Sequence, residues 1–228
     1  MQFAQQIPLD FPVMPAFGRE DFMIGDSNID AARWIDRWPD WPAPVLFLCG
    51  PAASGKSHLG AVWQARAHGV YIPAAQLKES NAQDIAAKGA HLFIDNIDPW
   101  FGDAQAETTL FHLYNMFKEQ GRTILMTGRA APAHIHFEIA DLASRLRGAP
   151  CAIIKSPDDA LLQNILVKMF ADRQIMIGED VIQYLTPRME RSFKFISDIV
   201  EQSDKIALSK KRAVTVPIIR EALSAIVG

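Results

Sequence analysis

Residues 50 to 57 read Gly-Pro-Ala-Ala-Ser-Gly-Lys-Ser, a complete G-x-x-x-x-G-K-[ST] pattern. The pattern directly follows the apolar run Val45 to Cys49 (VLFLC) and opens a segment with helical character to about Arg66. A buried strand, a glycine-rich turn and a helix in that order make a cradle for phosphate oxygens. The glycines let backbone N–H groups from about Ala53 to Ser57 turn inward onto an anion, and the helix N-terminus adds a favourable field. Gly50, Pro51, Ala52, Ala53, Ser54, Gly55, Lys56 and Ser57 are therefore expected to hold phosphate. In this arrangement Lys56 reaches the β- and γ-phosphates, and Ser57 offers its hydroxyl to Mg²⁺.

The cradle also constrains what surrounds it. After VLFLC, strand-like runs recur at Gly69 to Ile72, His91 to Ile94 (HLFI), Thr123 to Thr127 (TILMT) and Cys151 to Ile154. Helical segments separate them: one within Ala74 to Lys88, one over Glu107 to Gln120, and a short one over Ile139 to Leu146. Strands alternating with helices imply an α/β fold with a parallel sheet of about five strands, covered on both faces. An additional helix is expected ahead of the sheet, at Asn28 to Trp38, ended by the breaker PDWPAP. The tryptophans near it fit packing against the sheet better than an exposed patch.

The pattern changes after Lys155 and becomes mostly helical. Ser156-Pro157-Asp158-Asp159 reads as a helix start with a Ser cap, and further helices are expected from Gly178, after Ser192 and after Pro217. The run KIALSKKR, 205 to 212, falls where a helix should end and a strand should begin, and reads as a solvated helix end. The expected division is an extended peptide at 1–11, an α/β body at 12–155 and a small C-terminal helical lid at 156–228.

A second part of the site is legible at Asp95, which ends the strand HLFI about 40 residues after the cradle. A carboxylate there faces the phosphate loop and holds Mg²⁺ through water, so Ser57 and Asp95 form the expected metal pair. The next residue is Asn96, and an amide is a poor general base, so weak hydrolysis of the protein's own nucleotide is expected. Thr127 stands at a strand end, where it either senses a γ-phosphate or caps backbone. His134 and His136 lack a third ligand at a sensible spacing and read as loop residues.

Composition limits the partners. Net charge is −3, which gives no support for strong intrinsic DNA affinity. No apolar run reaches membrane-spanning length, and the first residues lack a signal-peptide pattern, so a cytoplasmic protein with Cys49 and Cys151 reduced is expected.

These residues resemble the DnaA-related AAA+ family, and within it the shortened Hda type, over nearly the whole chain. Gly50 to Leu59 (GPAASGKSHL), which includes His58, is similar to the family's Walker A segment, and Leu92 to Ile97 (LFIDNI) to its Walker B segment in the Asp-Asn form of Hda. Phe22 to Asn28 (FMIGDSN) resembles the segment that contacts adenine, which implicates Phe22, Ile24, Gly25 and Asn28. Asp141 to Leu146 (DLASRL) resembles the arginine-finger segment and implicates Arg145, acting in trans. Lys194 lines up with the sensor-2 arginine, with the charge kept and the planar fork lost; Arg191 stands nearby as a substitute. Val214 to Leu223 resembles the closing strand and helix of the Hda lid, and the DNA-binding domain of DnaA is not expected in this protein. Gln6-Ile7-Pro8-Leu9-Asp10-Phe11 resembles the hexapeptide that docks on the β sliding clamp of DNA polymerase III, with Gln6, Leu9 and Phe11 as anchors. An arm packed on its own domain is the competing reading of that peptide.

The resemblance implies ADP or ATP with Mg²⁺ as cofactors. It also implies the clamp and DnaA as partners, contact with DNA only through the clamp, no membrane, and a possible homodimer. The implied activity is hydrolysis of DnaA-bound ATP in trans, which restrains replication initiation. Two alternatives remain at this point: a self-sufficient AAA+ ATPase of helicase-loader type, and a nucleotide-bound adaptor without trans-acting catalysis.

Overall fold

A computed structural model describes residues 22–227. The expected clamp peptide, with Gln6, Leu9 and Phe11, lies outside the described residues.

Five short apolar runs form one parallel sheet: β1 (Val45–Cys49), β2 (Val70–Pro73), β3 (His91–Asp95), β4 (Thr123–Gly128) and β5 (Cys151–Ile153), in the order β2-β3-β4-β1-β5. Because the side-chain period is two, each strand feeds two cores at once. Val45, Phe47 and Cys49 point to one face with Leu92, Ile94, Ile124 and Met126. Leu46 and Leu48 point to the other with Phe93, Leu125 and Ala152. Burial on both faces explains why these strands read as continuous apolar runs instead of alternating ones.

Helices α1 (Ile29–Asp36) and α2 (Lys56–Ala67) cover the Leu46 face, and the short α3 (Gln76–Glu79) and α4 (Ala82–Ala86), then α5 (Ala104–Glu119) and α6 (Ala140–Gly148), cover the Phe47 face. The single helix expected within Ala74 to Lys88 is broken in two at Ser80, because Asn81 caps the second piece by accepting from the N–H of Asp84. Asp103 caps α5 by accepting from Gln105 and Ala106, so α5 starts three residues ahead of the expected Glu107.

Tryptophans fix α1 and its exit loop to the sheet. Trp41 stacks on the fully buried Trp63 at 5.5 Å between ring centroids, and the indole of Trp41 donates to the carbonyl of Trp34 at 2.8 Å. Trp38 donates to Thr123 Oγ1 at 3.1 Å, and His91 Nδ1 lies 2.8 Å from the same hydroxyl. With Trp38 donating to it, the Thr123 hydroxyl can donate its own proton to Nδ1, which suits a neutral imidazole.

Burial and the nearby Arg122 hold the His91 pKa below its ordinary 6.5. The unfolded chain then binds the proton that the folded chain rejects, so stability falls as pH drops below about 6.5 towards the folded pKa. His91→Gln should remove that part of the slope, read as a smaller difference between urea midpoints at pH 7.5 and pH 5.5 than in the parent.

The C-terminal segment forms a separate helical core: α7 (Asp159–Ala171), α8 (Glu179–Leu185), α9 (Phe193–Lys210) and α10 (Val216–Val227), packed through Leu162, Phe170, Ile196, Ile199 and Ile219. The cap of α7 is Asp158, which accepts from the N–H of Leu161 at 2.7 Å, and not Ser156. Ser192 caps α9 as expected, accepting from Phe195 at 3.2 Å. No strand forms around Val214; with no strand edge beside it, Val214 buries its side chain in the lid core instead.

Candidate functional site

Parallel strands put the residues at their C-terminal ends on one rim, and Gly50, Asp95 and Thr127 all emerge there. At the root of the loop, a Cβ on Gly50 would stand 2.1 Å from the carbonyl oxygen of Ile154, so only glycine lets the loop leave β1 against the end of β5. Ala53 (φ 54°) and Gly55 (φ 94°) adopt left-handed backbone, which turns successive N–H groups towards the inside of the loop. Gly55 precedes α2 and offers no side-chain cap, so the first amides of a twelve-residue helix have no side-chain acceptor. Ser54 Oγ is buried within the loop without a hydrogen-bond partner. A polar cradle with uncapped donors fits phosphate oxygens.

Lys56 crosses the mouth of the loop: its Nζ donates to the carbonyls of Gly50 at 2.8 Å and Pro51 at 2.6 Å. Burial lowers its pKa, while the carboxylates of Asp98 and Asp95 act in the opposite direction. Ser57 Oγ donates to Asp95 Oδ2 at 2.8 Å, and Thr127 Oγ1 donates to the other carboxylate oxygen. The N–H of Asn96 in turn donates to Thr127 Oγ1 at 2.9 Å. Thr127 is fully buried, and its hydroxyl is spent on aiming Asp95 and holding the start of the next loop. A hydroxyl and a carboxylate side by side are the hard oxygen donors that Mg²⁺ takes beside phosphate. Asn96 itself sits exposed with φ 53°.

Sequence reasoning missed Asp98. Its Oδ1 accepts from the N–H of Arg129 at 2.7 Å, its Oδ2 is buried without a partner, and its charge is the strongest of those acting on Lys56. This carboxylate ties the loop after β3 to the loop after β4, directly beside the lysine. The only signal was a second acid in LFIDNID, three residues after Asp95.

The segment Phe22 to Asn28 adjoins the cradle. Phe22 meets the His58 ring edge-on at 5.4 Å, Gly25 packs against Leu161 of α7, and Ile24 is 45% exposed. Asn28 is 1% exposed and spends both ends of its amide locally, accepting from Gly25 N and donating to Met23 O at 3.0 Å each. Its side chain therefore shapes this turn.

The lid meets the loop through Phe193, whose N–H donates to Ala53 O at 3.2 Å and whose ring would lie 2.9 Å from a Cβ on Gly55. Lys194 pairs with Asp198 one turn on, at 2.5 Å, and Arg191 with Asp159 at 3.2 Å. Arg145 is held elsewhere: α6 packs on α5, where the guanidinium bonds Asn115 Oδ1 and lies over the rings of Phe111 and Tyr114. That face of the sheet is opposite α2, and the charged side chains acting on Lys56 are those of Asp98, Asp95 and Arg129. Cys49, at the foot of the loop, is a free thiol 3.3 Å from the free thiol of Cys151.

Residues 159–223 match the family model described as Hda, lid domain. The fold as a whole is similar to domain III of the Thermotoga maritima replication initiation protein DnaA, at 18% identity and a TM-score of 0.79, over 94% of this chain and 98% of that one. It is also similar to AMPPCP-bound DnaA from Aquifex aeolicus, at 16% identity and a TM-score of 0.73, over 87% of this chain and 68% of that one. The Thermotoga maritima RuvB Holliday junction branch migration motor shares the fold at 15% identity and a TM-score of 0.62, over 80% of this chain and 61% of that one. Residues 159–223 thus carry a lid of the Hda type, and the chain as a whole has the AAA+ fold of DnaA domain III.

Proposed function

We propose that this chain is an Hda-like regulator of replication initiation that binds an adenine nucleotide and promotes hydrolysis of DnaA-bound ATP in trans. The observation that carries the reading is an Hda-type lid resting, through Phe193, on a complete phosphate cradle. The uncapped start of α2 and Lys56 suit ADP or ATP, and the Ser57–Asp95 pair suits Mg²⁺. The segment at Phe22 to Asn28, with Phe22, Ile24 and Gly25 between loop and lid, would take the base.

The loop from Gly50 to Ser57 and the lid contact at Phe193 would hold a nucleotide between body and lid, which would order the hinge. Asn96 supplies no base beside Asp95, so the protein's own turnover is slow. Arg145 is held against α5 on the sheet face opposite α2, and this reading has it serve another subunit's nucleotide. A guanidinium delivered to a γ-phosphoryl group neutralises the charge that builds up during transfer. Among the described residues no helix is long and apolar enough to cross a membrane, and a cytoplasmic site of action fits that.

Docking on the β sliding clamp through Gln6, Leu9 and Phe11 would hold the protein next to DNA-bound DnaA and raise its effective concentration there. Contact with DNA is then only through the clamp. The double substitution Leu9→Ala/Phe11→Ala removes both apolar anchors and should weaken clamp binding at least about tenfold, as expected for two lost side-chain pockets. Surface plasmon resonance on immobilised clamp measures this; an unchanged Kd would remove the clamp from the account.

A further inference from the structure

Among the described residues, strand β5 is an edge of the sheet and pairs on one side only, with β1. The N–H of Phe47 donates to Pro150 O, and the N–H of Ile154 donates to Cys49 O. In a parallel ladder the alternate residues then face away, so Cys151 and Ile153 turn their backbone N–H and C=O groups to the open side. Just beyond, the N–H of Lys155 is taken by Ser27 O, which closes the free stretch.

An open groove of about 470 Å³ runs along this edge, walled by α1. Arg33 in α1 and Arg37 just past its end, one turn apart, line it together with Lys155; among the described residues the one acid there is Asp30, paired with Arg33 at 3.4 Å. Trp34 lies between the two arginines, with the Arg37 guanidinium 5.3 Å from its ring centre. Across the strand, Ile153 leaves 58% of its surface exposed.

We propose that the β5 edge is a docking site for an extended peptide of alternating acidic and apolar residues, added to the sheet as a sixth strand. Main-chain hydrogen bonds to Cys151 and Ile153 would supply the pairing, as in other cases of strand addition. A strand's side chains alternate between faces, so one set would lie towards α1 and the other beside Ile153. Arg33, Arg37 and Lys155 make acids the fitting choice for the first set, and Ile153 makes aliphatics the fitting choice for the second. The same charges disfavour a second copy of this chain, because antiparallel β5–β5 pairing would bring two basic rims together. The proposal depends on neither the phosphate cradle nor Arg145.

The test uses the full chain and a fluorescein-labelled octapeptide that alternates glutamate and valine, with a lysine–valine octapeptide as control. Fluorescence anisotropy should show saturable binding of the first at low salt and at least about tenfold weaker binding of the second, given that charge sets partner choice here. Arg33→Glu/Arg37→Glu changes exposed side chains and should weaken binding at least about tenfold, and added salt should weaken it further. Ile153→Pro deletes an outward N–H while sparing the ladder to β1, and should also weaken binding. Equal binding of both peptides, no saturable binding, or an Arg33→Glu/Arg37→Glu variant that binds like the parent would overturn the proposal. So would a concentration-dependent dimer in sedimentation that Ile153→Pro abolishes, since the edge would then belong to self-pairing.

Discussion

Lys56→Ala should weaken binding of Mg²⁺-adenine nucleotide by at least about 100-fold, because two charge-assisted hydrogen bonds to phosphate are worth about 3 kcal/mol or more together. The ammonium already stands at the loop mouth, 2.8 Å from Gly50 O and 2.6 Å from Pro51 O, and has only to exchange those carbonyls for phosphate oxygens. Burial works against its charge, and Asp98 and Asp95 work for it. Asp98→Asn should therefore weaken the same binding in the same direction but by less, since the lysine remains. Titration with a fluorescent ADP analogue measures both, and thermal melts establish that the variants are folded. An affinity for Lys56→Ala within threefold of the parent would mean that the loop is only a tight strand-to-helix turn.

The second large effect concerns Arg145. An arginine finger is worth about 10³ to 10⁵ in rate, so Arg145→Ala should reduce stimulation of DnaA-bound ATP hydrolysis by about a thousandfold or more. Its own nucleotide affinity should not change, because the Arg145 guanidinium is engaged by Asn115, Phe111 and Tyr114 of α5, on the sheet face opposite α2. The same arginine also ties α6 to α5 through Asn115 and the Phe111 and Tyr114 rings, so the substitution costs some stability, about 1 kcal/mol for stacked cations of this kind. Arg145→Lys separates the two roles. It keeps the charge over the rings but loses the planar fork, so stability should largely return while stimulation stays low. Full stimulation by Arg145→Lys would assign Arg145 to packing alone.

The body of the fold was legible because its physics is local in sequence. VLFLC, HLFI and TILMT are buried on both faces and read as unbroken apolar runs, and the cradle must sit between a strand and a helix. Errors arose where a neighbour decides. Val214 has the composition of a strand, but a strand needs an edge, and the lid offers only helices. Ser156 and Asp158 both suit a cap, and the choice depends on where α7 meets the body.

The site shows the same division. Residues in linear motifs, from Gly50 to Ser57 and Asp95, came together on one rim. Asp98 was invisible because its meaning comes from Arg129 and Lys56, brought to it by folding. The contact between Phe193 and the Ala53–Gly55 turn joins positions 140 residues apart in the chain, and nothing near either one announces it. Thr127 was balanced between phosphate sensing and capping; its hydroxyl lies between Asp95 and the Asn96 amide, a contact that only the β3–β4 register reveals.

The most direct measurement of the central claim is turnover of ATP bound to DnaA on clamp-loaded DNA, with and without this protein and with its own nucleotide supplied. The account predicts a large acceleration that requires the protein, while the protein alone turns over ATP slowly. Unchanged DnaA turnover under every nucleotide condition would contradict it, as would rapid hydrolysis by this chain on its own.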